Sequence, residues 1–160
     1  MQGETLVIKA RPLLLAVLAA CGGGSSSPVT VAPANSAKAA VEKFMQAVAD
    51  SNLTGMANLW GSAGGPAART GQPPDYERRI AVIQTYLRNE SHRSVSDVPQ
   101  GDARHAFQVE IRRQLCSWAV PFTTIRLGDG SWIVNQVDLT AAGNPAKPCV
   151  PGGEDTTTQQ

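Results

Sequence analysis

The sequence predicts an α+β domain in which helices come first and an antiparallel sheet follows. Three observations carry that expectation. Between residues 36 and 87, apolar side chains recur at spacings of three and four, the period of a helix face. From His105 to Ile111 they alternate with polar ones, the period of a strand with one buried face. A Gly128-Asp129-Gly130 triplet then divides two further strand-like runs, and glycine supplies the positive φ that hairpin turns require. The chain has 160 residues, 42% apolar and 17% charged, with a formal net charge of +1. That length suits one domain, and the composition is too apolar for a wholly disordered chain.

Ser36 is a good N-cap for a first helix whose stripe is Ala37, Val41, Phe44, Met45 and Val48. The pattern breaks at Asp50-Ser51-Asn52 and resumes with Leu53, Met56, Leu59 and Trp60, a short second helix despite Gly55. Residues 61–74, rich in glycine and proline, are expected to form a loop. Pro73 and Pro74 pre-set the start of a third helix carrying Tyr76, Ile80, Ile83 and Leu87. A weaker strand is expected over 93–98. In the next, His105, Phe107, Val109 and Ile111 share one face, and Arg104, Glu110 and Arg112 lie on the other. Residues 119–127 form another strand, which Pro121 places at an edge or beside a bulge. Residues 131–138 return after the turn. Three N-terminal helices should therefore cover one face of a curved antiparallel sheet.

The ends of the chain read differently. Lys9 and Arg11 precede the apolar stretch from Pro12 to Ala20, a basic flank and a core too short to span a bilayer, as in an export signal. Leu18-Ala19-Ala20-Cys21 resembles the lipobox of bacterial lipoproteins. That resemblance implies cleavage before Cys21, a diacylglyceryl group on its sulfur, and attachment to the bilayer through acyl chains, palmitate among them. Removal of residues 1–20 takes away Lys9, Arg11 and Glu4 and leaves a formally neutral chain. Attachment then rests on lipid, since two or more acyl chains hold stably where one is marginal. Residues 21–35, opening Gly22-Gly23-Gly24-Ser25-Ser26-Ser27, are expected to be a flexible tether. The lack of aspartate directly after Cys21 fits the outer membrane, periplasmic side, of a Gram-negative envelope. Cys116 and Cys149 remain as an even pair, which in an exported protein reads as a disulfide. Residues 140–160, rich in proline, glycine and threonine, are expected to be largely disordered.

The order of elements over residues 36–139 resembles the nuclear-transport-factor-2-like superfamily, above all its small bacterial lipoprotein members. The resemblance is carried by the opening helix with Phe44 and Val48, the break at Asp50, Leu59-Trp60, and the closing run from Trp132 to Asp138. It implies a cone-like α+β domain enclosing an apolar pocket, often in a homodimer. The superfamily holds dehydratases, isomerases, cyclases and non-catalytic binding domains, so fold does not choose among them.

Candidate chemistry is sparse. Phe44, Val48, Trp60, Phe107 and Val109 are the candidate pocket walls, with His105 at the rim to orient a ligand by hydrogen bonding. No catalytic residue stands out. His105 is a weak candidate for a general base, with Asp138 a carboxylate that equally suits a turn cap. Tyr76 and Tyr86 sit on or beside a helix stripe, as core or rim residues rather than catalytic acids, and His92 lies in a polar stretch and is expected to be solvated. Arg78-Arg79 and Arg112-Arg113 diverge on their elements and are not expected to make a single anion prong. No cofactor and no metal is expected, since there is neither a CxxC nor a spaced Cys/His set. Near-neutral charge lacks the footprint of a nucleic-acid binder. The leading expectation is a membrane-anchored, non-catalytic domain binding a small ligand or an envelope protein. The alternative is a lyase or isomerase using His105 on a small apolar substrate.

Overall fold

The computed structural model describes residues 31–147 and Cys149. Cys21, the expected export signal over residues 1–20, residues 22–30, Pro148 and residues 150–160 lie outside the described residues. The fold is mixed α+β. Helices α1 (Ala37–Ala49) and α2 (Leu53–Leu59) lead into a two-stranded sheet, β1 (Gly61–Ser62) with β2 (Gly65–Pro66). The short α3 (Ala67–Thr70) and then α4 (Tyr76–Leu87) follow. The main sheet is an antiparallel meander of β3 (Ser91–Pro99), β4 (Arg104–Arg113), β5 (Cys116–Arg126) and β6 (Trp132–Val137), in that spatial order. A 3-10 turn, Leu139–Ala142, closes it.

Local chemistry accounts for most of these boundaries. The Ser36 hydroxyl accepts from Ala39 N–H at 3.1 Å and so satisfies one orphan donor of α1. Asn52 Oδ1 accepts from Gly55 N–H at 2.8 Å and starts α2 in the same way. Asp129 Oδ1 accepts from Ser131 N–H at 2.9 Å, fixing the β5–β6 hairpin, where Gly130 holds a φ of 84°.

Four helices, not three, precede the main sheet. The expected loop over 61–74 contains β1, β2 and α3 instead. Glycine made this stretch look like a loop, but at Gly61 it serves a close approach, since a Cβ there would collide with the Gly65 carbonyl.

Directly opposed residues share a face, so Ile111 with Trp118, Val109 with Val120, and Phe107 with Phe122 form ranks on the inner side of the sheet. Helix α1 lies across β5 and β6 and brings Phe44 edge-on to Phe122 at 6.3 Å. Phe44, Val48, Phe107, Val109, Ile111, Val120 and Phe122 are all essentially inaccessible to solvent. Each such side chain contributes about 1.5–3 kcal/mol relative to exposure.

Pro121 stands in a central strand rather than at an edge. Its carbonyl accepts from Asp138 N–H at 2.9 Å, so its missing N–H faces the β6 side, where the ladder ends at Phe122–Val137. The edge strands are β3 and β6; β3 is broken by a bulge at Val95 and carries Arg93, Asp97 and Pro99, features that discourage pairing with another strand.

Described residues at both flanks of the domain make definite contacts with it. Ala34 is fully buried and accepts from Trp132 N–H at 2.9 Å, and Lys43 Nζ donates to the Ala32 and Pro33 carbonyls at 3.0 and 2.9 Å. Residues 32–34, expected to belong to the tether, therefore pack against the domain. At the other end Ala142 is buried, and Cys116 and Cys149 form a disulfide with Cα atoms 6.0 Å apart.

Candidate functional site

A cleft of about 460 Å³ opens between α4 and the last residues of β6. Helix α4 packs mainly against α2 and the 3-10 turn rather than the sheet, and so leaves this gap. Asp75, Arg78, Arg79, Val82 and Ile83 line one wall, at spacings that share a helix face. Asn135, Gln136, Val137 and Leu139 line the other, and Trp60 lies between them. A second hollow of about 340 Å³ shares Trp60 and Arg79 and continues over Ser62, Gln72 and Pro73. These sizes fall in the range of small-molecule sites.

Each wall has a local cause. Trp60 ends α2 in an extended conformation and bridges in parallel to Val134, which lays the indole beside β6. The β5–β6 register slips between Thr123 and Thr124, making Asn135 the extra residue of a bulge. Bulges re-aim side chains, and this one turns Asn135 towards β1, where Nδ2 donates to the Gly61 carbonyl at 2.8 Å. On α4, Arg79 Nε donates to Asp75 Oδ1 at 2.9 Å. That bond is the main reason the Asp75 carboxyl is held below its usual range. Arg78 has no salt-bridge partner among the described residues. Two arginines against one aspartate leave the cleft with a positive excess.

Of the expected pocket residues only Trp60 lines this cleft. Phe44, Val48, Phe107 and Val109 are packed into one continuous core instead, with helix α1 laid across β5 and β6. His105 points inward, as its parity requires, but is not a cleft residue. Its ring stacks on Phe107 at 6.0 Å, meets the edge of Trp132 at 5.1 Å, and places Nδ1 2.6 Å from Asp97 Oδ1. With 22% of its side chain exposed, it closes one end of the core and fastens the edge strand. Directly opposite sits Thr124, fully buried, whose Oγ1 has no hydrogen-bond partner among the described residues.

The other candidates also find definite places. Asp138 Oδ1 accepts from Thr140 N–H at 3.0 Å and caps the 3-10 turn. Tyr76 and Tyr86 pack at the margin of the core, with the Tyr76 hydroxyl 3.3 Å from Glu77 Oε1. His92 is half-buried opposite Ile111 rather than solvated, and desolvation lowers its pKa against an opposing pull from Glu42. Arg112 lies on the outer face. Arg113 turns inward, stacks over Trp118 at 4.4 Å, and donates from Nη2 to the Ala142 carbonyl beside the disulfide.

Sequence reasoning missed Asp75, Arg78, Arg79, Asn135 and Gln136 as site residues. Adjacent arginines 100° apart on a helix cannot form one prong, yet they can flank a broad groove. Asn135 left a usable signal: asparagine is depleted in strands, and here it interrupts an apolar run. No protein-family model, curated protein or solved structure matches the chain.

Proposed function

We propose that this chain is an envelope lipoprotein, anchored through acylated Cys21, whose domain binds a small ligand without transforming it. The observation that carries the reading is the cleft at Trp60, in which an apolar floor meets a few polar groups. Its one carboxylate, Asp75, is tied to Arg79, an arrangement that suits recognition better than proton transfer. The lipobox-like Leu18-Ala19-Ala20-Cys21 and the Cys116–Cys149 disulfide support an exported setting. The order of helices and strands supports the nuclear-transport-factor-2-like resemblance, with its cone-like form and homodimer as further parts of the proposal.

The short His105–Asp97 contact favours one second reading, a lyase or isomerase with His105 as base. Against it, the ring faces Phe107 and Trp132 rather than the cleft.

Native mass spectrometry of the protein extracted from envelopes tests the proposal. Wild type should carry the mass of acyl chains and a retained small molecule. Cys21→Ser should lose the acyl mass and leave the membrane fraction, and Trp60→Ala should lose the ligand alone. Membrane retention of processed Cys21→Ser protein would overturn the anchor, and ligand retention by Trp60→Ala would overturn the site.

A further inference from the structure

The polar groups of the cleft narrow the chemistry of what it takes. Its apolar lining is Trp60, Val82, Ile83, Val137 and Leu139, with Val82 43% exposed although it sits beside a buried helix face. A ligand must therefore bring an apolar body to that wall. The charged groups are not equivalent. Asp75 and Arg79 satisfy each other, and Asp138, next to the wall, is occupied by Thr140 N–H and Oγ1. Glu77, on the same helix, is not a lining residue and is met by the Tyr76 hydroxyl. Among the described residues Arg78 is left as the cleft cation without a salt-bridged carboxylate. Across from it, Asn135 Nδ2 is committed to the Gly61 carbonyl, so that amide is fixed in place.

We propose that the cleft selects small amphipathic anions, with an apolar body lying between Trp60 and Val82 and a carboxylate-like head on Arg78. This rests on the reading of the cleft as a ligand site and adds the ligand class. A guanidinium is the suited partner because it meets a carboxylate with paired N–H donors, and a partly apolar wall strengthens that contact. Asp75 sets the selectivity. By occupying Arg79 it leaves one cationic point in the cleft, which favours a monoanion over a polyanion. By its own charge it also repels an anion seated away from Arg78.

Three probes with the same body and different heads test this: hexanoate, hexanol and hexylammonium, each titrated into the full processed chain and followed by amide NMR shifts. Hexanoate should bind tightest and move the signals of residues 60, 78–82 and 135–137. Arg78→Gln should weaken hexanoate about tenfold or more, the size expected on losing a charge-assisted contact, while hexanol binding changes little. Arg78→Lys should recover part of the loss. Arg78 is exposed, so these variants keep the fold. Equal binding of hexanol and hexanoate at the cleft would overturn the anion class and leave the ligand site standing. A preference for hexylammonium would do the same. Shifts from none of the three probes at the cleft would overturn both.

Discussion

Strand β4 and the end of β6 belong to one sheet, yet one is sealed and the other open. Along β4 the alternation from His105 to Ile111 is unbroken, and every inward apolar residue finds a partner rank on β5 and a place in the continuous core. Along β6 a single extra residue, Asn135, shifts the alternation just where α4 leans away. An uninterrupted period builds interior, whereas a one-residue slip beside a gap between elements builds a concave, mixed surface. Tight packing and open, mixed surface are thereby divided between two stretches of the same sheet.

The sharpest way to break this comparison is to damage the sealed stretch. Phe107→Ala should cost about 3–5 kcal/mol, as for other large-to-small core changes, by urea melts monitored by circular dichroism. A cost below 1 kcal/mol would mean that the interior is not tightly packed. Reduction of Cys116–Cys149 should cost roughly 3–4 kcal/mol from loop entropy, and a thermal melt with and without reductant reads it. It should leave hexanoate binding unchanged, since neither cysteine lines the cleft.

Smaller effects separate the regions more finely. Thr124→Val removes a buried hydroxyl without a partner while keeping the shape, and should stabilise by about 1 kcal/mol. Destabilisation would mean that this hydroxyl is satisfied in solution. Asn135→Ala should cost about 1 kcal/mol through the lost bond to Gly61, and should weaken probe binding as the cleft wall loosens. Full stability with lost binding would place Asn135 in ligand contact alone.

The smallest expected effect is the pH response of His92. Its folded pKa lies below the ordinary 6.5, so the unfolded chain takes up the proton first. Stability should therefore fall as pH drops through the mid-6 range and level off below the folded pKa. His92→Gln should flatten that segment of a stability–pH curve. A slope of opposite sign would mean that Glu42 outweighs desolvation.

Much of the sealed stretch was legible beforehand. The α1 stripe of Val41, Phe44 and Val48 and the β4 stripe of Phe107, Val109 and Ile111 depend on period alone, and both are buried as expected. The Gly128–Gly130 turn depends on local φ preference, and it forms. Less was legible where distant residues meet. The β1–β2 pair was hidden because glycine signals loops and close approaches alike. His105 was placed on the correct face but not in its contacts, since Asp97 reaches it only after the bulge at Val95 resets the register of β3.

The candidate site was the least legible part. Trp60, Arg78 and Asn135 come from three separate segments, and no local pattern relates them. Sequence by itself determined the α+β order, the inward faces of α1 and β4, the hairpin and the pairing of Cys116 with Cys149, because period, turn preference and parity act over a few residues or on a count. Tertiary structure alone decided that helix α1 lies across β5 and β6 and that a cleft opens beside α4. Which helix covers which strand depends on the sum of many weak packing contacts across the whole chain, and no short segment encodes that sum.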